Sequence, residues 1–341
     1  MRRTPECAIA LALLTAAIGA GEVHDVTAKT FYRTFSRAHP PLLRIKPGDV
    51  VRTKTLDAAG VDEKGVRRHP EFGNPLTGPF YVEGAEPGDA LAVHFRRIRM
   101  NRPSGWTAYR LGLFSLAPDS IERVYPNKYK ENLVYDGRVN LVPWDIDIEK
   151  QVVRLREPAS TRMKLEFPAR PMLGCVGLAA PGDFAPTSGI SGSYGGNMDY
   201  NEVVDGSTVV LPVSHPGALL FIGDGHALQG DGEPTGTGVE TSMDVEFTVE
   251  LRKKVNLGNP RLETSEYIIS VGSQPEFVSP LDRALQIATS DMVRWLVSDY
   301  GLEPWAAHLL VGYQARYDVV TVAGSMALKI PKKYLPARIE K

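Results

Sequence analysis

The stretch Val239-Glu240-Thr241-Ser242-Met243-Asp244-Val245-Glu246-Phe247-Thr248-Val249-Glu250-Leu251-Arg252 alternates with a period of two. Val239, Thr241, Met243, Val245, Phe247, Val249 and Leu251 fall on one face, and Glu240, Ser242, Asp244, Glu246, Thr248, Glu250 and Arg252 on the other. That pattern predicts a long antiparallel strand with one buried face, placing Glu240 on the polar face at its start. The preceding apolar run Ala218 to Ile222 is the expected pairing partner. Between the two runs lies Gly223-Asp224-Gly225-His226-Ala227-Leu228-Gln229-Gly230-Asp231-Gly232-Glu233, one imidazole and several carboxylates in a glycine-rich loop. Loops held by a rigid scaffold are where catalytic and binding groups concentrate.

Working outward, a turn signal recurs before strand-like runs: Pro47-Gly48-Asp49, Pro87-Gly88-Asp89 and Pro216-Gly217. Proline presets the first central φ of a type II turn and glycine takes the positive φ that follows. Asp205-Gly206 before Ser207 to Leu211 is a hairpin signal of the same kind. Helix is scarce until the C-terminal part. Ser279-Pro280 supplies an N-cap and a first-turn proline, Leu281, Leu285, Ala288, Met292 and Leu296 follow at helical spacing, and Gly301 stops the run. A second short helix is expected around Trp305 to Leu310. The segment from about Ile98 to Glu157 has weak periodicity and reads as a small lobe or an insertion. The chain is therefore expected to be mainly β, a jelly-roll-like β-sandwich body with a smaller β or α+β lobe and C-terminal helices.

Composition narrows the function. Of 341 residues, 43% are hydrophobic and 23% charged, as in a globular protein with a sizeable core. A formal net charge of -1 gives no electrostatic reason for a nucleic-acid or anionic-membrane partner, which leaves small molecules. Arg2 and Arg3 precede an uncharged run from Cys7 to Ala20, the layout of a secretory signal peptide over residues 1–20. The expectation is an exported protein, periplasmic or secreted, free of the membrane after cleavage, with residues 21–341 as the working region; nothing opposes a homo-oligomer. Cys7 leaves with the leader, and Cys175, among Met172 to Leu178, reads as a small core hydrophobe.

Chemistry is sought among the polar groups. Gly189-Ile190-Ser191-Gly192-Ser193 misses the glycine-x-serine-x-glycine elbow by one position, so a serine nucleophile fits poorly. Asp199, His226, Asp231, Glu233 and Glu240 offer the mixed nitrogen and oxygen ligands that divalent metals accept. A metal-activated water with a free carboxylate as base would hydrolyse an acyl group. On spacing alone a solvated hairpin loop explains these residues as well. His226 as a structural histidine and His226 as a ligand stand level.

Several segments in order resemble the acetamidase/formamidase family of amide hydrolases. They are Leu43-Arg44-Ile45-Lys46-Pro47-Gly48-Asp49, Asn74-Pro75-Leu76-Thr77-Gly78-Pro79-Phe80-Tyr81-Val82-Glu83-Gly84-Ala85, Gly195-Gly196-Asn197-Met198-Asp199, and the acidic loop through Gly238-Val239-Glu240. The resemblance covers roughly residues 40–98 and 165–255. It implies a β-rich sandwich fold, hydrolysis of the C–N bond of a small linear amide to a carboxylate and ammonia, and a divalent metal, zinc before calcium. Carried over by position, Asp199, His226 and Glu240 are the implied metal ligands, Glu233 or Asp231 handles protons, and Asn197 is a further catalytic candidate. Asp57, beyond the Val51, Thr53, Thr55 face, is a further residue expected to face the site. Two features depart from the family, the leader and the segment from about Ile98 to Glu157. They leave open a lactam or ester substrate, or an exported binding protein without turnover.

Overall fold

The computed structural model describes residues 21–108, 115–117, 119–120, 123, 141–157, 160–274 and 280–339. The expected leader, residues 1–20, lies outside the described residues, and no described helix is long and apolar enough to cross a membrane. The fold is mainly β, with three sheets and two C-terminal helices. The nine-stranded sheet runs Val23–Asp25, Val50–Lys54, Met243–Arg252, Ala90–Met100, Thr208–Pro212, Arg261–Glu263, Tyr267–Gly272, Ser325–Pro331 and Arg316–Thr321. The six-stranded sheet runs Ser191–Gly192, Gly195–Asn197, Met172–Gly177, Leu220–His226, Thr77–Val82 and Leu43–Ile45. Four strands, Ser104–Ala108, Leu141–Asp147, Val152–Leu155 and Glu166–Pro168, make the third sheet.

The alternation read from the sequence holds from Met243 onward: Met243, Val245, Phe247 and Val249 are buried, while Asp244, Glu246 and Thr248 are only partly covered. Val51 and Phe95 on the neighbouring strands join them in one core with Phe80, Leu173, Leu220 and Ile222 of the six-stranded sheet. Phe80 meets Phe247 edge to face across the layers, ring centroids 5.2 Å apart. Each such fully buried side chain contributes about 1.5–3 kcal/mol relative to exposure. The turns that feed these strands form as read. Gly48 and Gly88 take φ of 94° and 91°, and Asp49 and Asp89 close the turns by accepting the Lys46 and Glu86 amides at 2.8 and 2.9 Å.

The pairing of the long strand differs from the expectation. Met243–Arg252 pairs antiparallel with Val50–Lys54 and Ala90–Met100, whereas Leu220–His226 belongs to the other sheet, beside Met172–Gly177 and Thr77–Val82. The acidic loop thus closes on a short antiparallel contact, Gly225 to Leu228 against Val239 to Thr241, beyond which the chain crosses from one layer to the other. Asp205-Gly206 likewise makes a turn, with Gly206 at φ 78°, but leads from one sheet to the other.

Helix α1 (Leu281–Tyr300) ends on Gly301 at φ 66°, and α2 is Pro304–Gln314. Pro280 stands at the N-cap and not in the first turn; Ser279 lies outside the described residues. Ala288, Met292, Trp295 and Leu296 of α1 form a second core with Ile268, Leu328 and Ile330 on the Tyr267–Gly272 and Ser325–Pro331 strands. Inside this contact Arg261 makes a two-pronged ion pair with Asp291, at 2.7 and 3.1 Å, and its guanidinium lies 4.5 Å over the Trp295 ring. Asp291→Ala strands the buried guanidinium, and the expected loss is about 3–5 kcal/mol in chemical denaturation. A loss under about 1 kcal/mol would show the pair to be energetically idle.

Candidate metal and catalytic site

Strand Leu220–His226 is buried along its whole length and carries Asp224 and His226 two positions apart, so that their side chains share a face. Beside it, the register Leu173↔Gly225 and Cys175↔Gly223 sets Gly174 against Asp224. The Gly174 carbonyl accepts the Met198 and Asp199 amides at 3.0 and 3.2 Å, which brings Asp199 alongside. A Cβ at Gly174 would fall 2.4 Å from Asp199 Oδ1 and 2.6 Å from Asp224 Oδ2, so only glycine leaves room for both carboxylates. Glu240 arrives from the crossover. Its main chain pairs with Trp106 on one side and His226 on the other, and Glu240 itself is 2% exposed. The expected polar-face position for Glu240 is therefore wrong, because the regular strand starts only at Met243 and residues 239–242 are covered on both sides.

These segments converge on one imidazole. His226 Nε2 lies 3.1 Å from Glu240 Oε1 and 3.5 Å from Asp224 Oδ1. Asp199, His226 and Glu233 form one group, and Asp224, His226 and Glu240 a second, each with ligand atoms within 4.8 Å of one another. His226 Nδ1 faces Gln229 Oε1 at 2.7 Å, and Gln229 Nε2 donates to the Asp199 carbonyl at 2.6 Å. Behind the carboxylates, Asn197 Nδ2 donates to Asp199 Oδ2 at 2.5 Å and Asn74 Nδ2 donates to Asp224 Oδ2 at 2.8 Å. Asn74 Nδ2 also donates to Asn197 Oδ1 at 3.0 Å, and the Cys175 thiol donates to the same oxygen at 2.9 Å.

Among the described residues, Asp199 Oδ1, Asp224 Oδ1 and Glu240 Oε2 are buried without a hydrogen-bond partner. Buried acceptors left unpaired cost free energy, and a cluster of them is what a cation or a set of protons satisfies. The electrostatics say the same. Burial, reinforced by Asp224, pushes Asp199 up to about 7. Burial pushes Glu240 up to about 8, with His226 pulling back against it. Glu233 is raised well above the carboxylate range, by burial first and then by Asp199. For His226, burial works to lower the pKa, but Glu240 and Asp224 outweigh it and hold the ring well above the imidazole range. Carboxylate oxygens with one imidazole nitrogen form a donor set that fits a divalent metal.

Asp199, His226, Glu233 and Glu240 are thus brought together, and Asn197 reaches the site through Asp199. Asp231 is not: its side chain is exposed and accepts from Asn201 Nδ2 at 2.7 Å. Asp57 does not face the cluster either. Its carboxylate takes Arg102 at 2.6 Å, the Trp106 indole at 3.1 Å and the amides of Ala59 and Val61, so it is a buried anchor for the strand beside Glu240. Cys175 is a buried core residue whose thiol is pushed well up by burial and by the charges of Asp224 and Asp199, the opposite of an activated nucleophile. Sequence reasoning missed three groups. Asp224 reads as a turn former between two glycines, Asn74 sits in the Asn74-Pro75 segment, and Gln229 is an uncharged residue three positions after His226.

The sequence profile of the Acetamidase/Formamidase family matches residues 187–312, which include Asn197, Asp199, His226, Asp231, Glu233 and Glu240. The chain is 26% identical to a formamidase of Methylophilus methylotrophus over 67% of this chain and 68% of that one. It is 30% identical to an acetamidase of Mycolicibacterium smegmatis over 52% and 53%. The matched regions span from 53% to 68% of the lengths of the curated relatives. Among solved structures, an acetamidase from Yersinia enterocolitica superposes with a TM-score of 0.76 at 29% identity, covering 94% of each chain. An acetamidase from Bacillus halodurans superposes with a TM-score of 0.72 at 25% identity, covering 91% of this chain and 98% of that one. The chain is thus similar to the acetamidase/formamidase family, in sequence over residues 187–312 and in fold over 91–94% of its length.

Two measurements test the site itself. A Cβ at Gly238 would meet the His226 ring at 2.6–2.7 Å, so Gly238→Ala should displace the imidazole and weaken divalent-metal binding by at least about tenfold while the sheets stay folded. Unchanged affinity would mean that the ring has slack the packing does not reveal. Because Asp199 and Glu240 are raised to about 7 and about 8, they hold protons below those values, and a cation must displace them. Metal affinity should accordingly rise with pH between about 6 and 8.5, with proton release seen as buffer-dependent heat in calorimetry. An affinity flat across that window would contradict the protonated cluster.

Proposed function

We propose that the chain hydrolyses the C–N bond of a small linear amide, of the formamide or acetamide kind, to a carboxylate and ammonia. The observation that carries this reading is the set of three unpartnered carboxylate oxygens buried around His226 in a chain similar to the acetamidase/formamidase family. Asp199, His226 and Glu240 are the proposed ligands of a divalent ion, with Asp224 beside them. Zinc suits the set better than calcium, because an imidazole nitrogen is a common zinc ligand whereas calcium sites are built from oxygens. When bound, such an ion polarises a carbonyl oxygen and lets a water lose its proton near neutral pH.

The chain's own groups do the rest. Glu233 is the member of the cluster that is only partly covered, and it is the proposed contact with substrate. With the positive charge in place it takes the proton from the attacking water and passes it to the departing nitrogen, which leaves as ammonia. That role falls to Glu233 and not to Asp231, whose carboxylate is turned to Asn201. Asn197 works through Asp199, holding one carboxylate oxygen so that the other points inward. The run from Arg2 to Ala20 supports export, to be checked by N-terminal sequencing of the mature protein.

Purified protein should contain zinc and release ammonia from formamide or acetamide. His226→Ala should lose both. Glu233→Gln should keep the ion and lose turnover by about 10²–10⁴-fold. Ammonia release that survives chelation and His226→Ala would end the metal mechanism. Binding of amides without any release would instead favour a binding protein.

A further inference from the structure

We infer that Gln229 is the positioning residue that fixes the tautomer of His226, leaving Nε2 as the nitrogen offered to the cluster. The inference rests on the metal reading of the site. Its warrant is a chain of hydrogen bonds with a single consistent polarity. The Asp199 carbonyl can only accept, so the Gln229 group 2.6 Å from it is the amide NH₂. The other end of the same amide, 2.7 Å from His226 Nδ1, is then the carbonyl oxygen, which also can only accept. Nδ1 must therefore carry hydrogen.

In the neutral ring this makes Nε2 a lone pair, and Nε2 is the atom that faces Glu240 Oε1 at 3.1 Å and Asp224 Oδ1 at 3.5 Å. A lone pair aimed at carboxylate oxygens needs a positive charge between them, a proton in the metal-free ring or a metal in that proton's place. Gln229 thus prepares the imidazole for a metal, as the outer partners of metal-bound histidines do. It also ties two proposed ligands together, since the carbonyl it holds belongs to Asp199, whose backbone sits at φ 49°. Gln229 is 8% exposed, so water does not readily replace it.

The test uses ¹⁵N-histidine-labelled full chain, with and without zinc, the His226 signals being assigned by their loss in His226→Ala. Wild-type protein should show hydrogen on Nδ1 and the zinc-induced shift on Nε2. Gln229→Glu retains an acceptor for Nδ1 and should retain that signature. Gln229→Met offers none and should lose it, with zinc affinity about 10–100-fold weaker in protein that is still folded. A merely structural role would make the two variants behave alike. Wild-type His226 carrying no hydrogen on Nδ1, or Gln229→Met binding zinc as wild type does, would overturn the inference. A wild-type protein that takes up no zinc sinks the metal reading on its own, while the nitrogen carrying hydrogen still decides the role of Gln229.

Discussion

Four carboxyl groups, Asp199, Asp224, Glu233 and Glu240, share the surroundings of one buried imidazole. Two like charges 4 Å apart repel by about 4 kcal/mol even at an effective dielectric of 20, so the four cannot all ionise beside a single positive charge. Either protons or a cation must make up the difference. The surrounding structure is shaped by that constraint. The amides of Asn74 and Asn197 are turned so that their NH₂ groups face acid, and Gly174 and Gly238 remove the side chains that would otherwise fill the space.

The backbone records the same demand. Asn74, Asp199, Asp224 and Glu233 have φ of 53°, 49°, 58° and 48°, the left-handed region that L-residues occupy at a cost of roughly 1–2 kcal/mol each. Strain of this kind persists only where the surroundings over-determine it. Here the surroundings are a six-stranded sheet with buried strands on both sides of the site and a nine-stranded sheet sharing its core. The long alternating strand is part of that support and not part of the chemistry, since its buried residues face the core that holds the crossover in place.

This division explains what could be read in advance. The alternation of Met243 to Val249, the proline-glycine turns and the C-terminal helix are local patterns, set by pleat, φ and helical pitch, and they appear where the sequence puts them. Which strand lies beside Met243–Arg252 is a long-range matter. Proximity in sequence favoured Ala218 to Ile222, but the chain crosses between layers instead, and no short-range signal separates a crossover from a loose hairpin loop. The same holds for the site. Asp199, His226 and Glu240 were legible because resemblance tied distant segments together. Asp224 looked like a turn residue, Gln229 has no charge to attract notice, and Asp231 and Glu233, two residues apart, carry the same functional group. Only the fold turns one to Asn201 and the other to His226.

The third sheet shows how a residue outside the cluster can still govern it. Asp57 is sealed by Arg102 and by the Trp106 indole, and the main chain of Trp106 in turn exchanges hydrogen bonds with Glu240 at 2.8 and 3.1 Å. Glu240 is thereby held between two strands that answer to different sheets: His226 on the six-stranded side and Trp106 on the four-stranded side. Breaking a buried ion pair typically costs several kcal/mol, so the Asp57–Arg102 contact resists any movement of Trp106 that would let Glu240 swing away. A carboxylate raised to about 8 would otherwise gain by moving to water, where it could ionise freely. Fixing it from both sides keeps the acid beside the imidazole, where a proton or a cation rather than solvent must answer its charge.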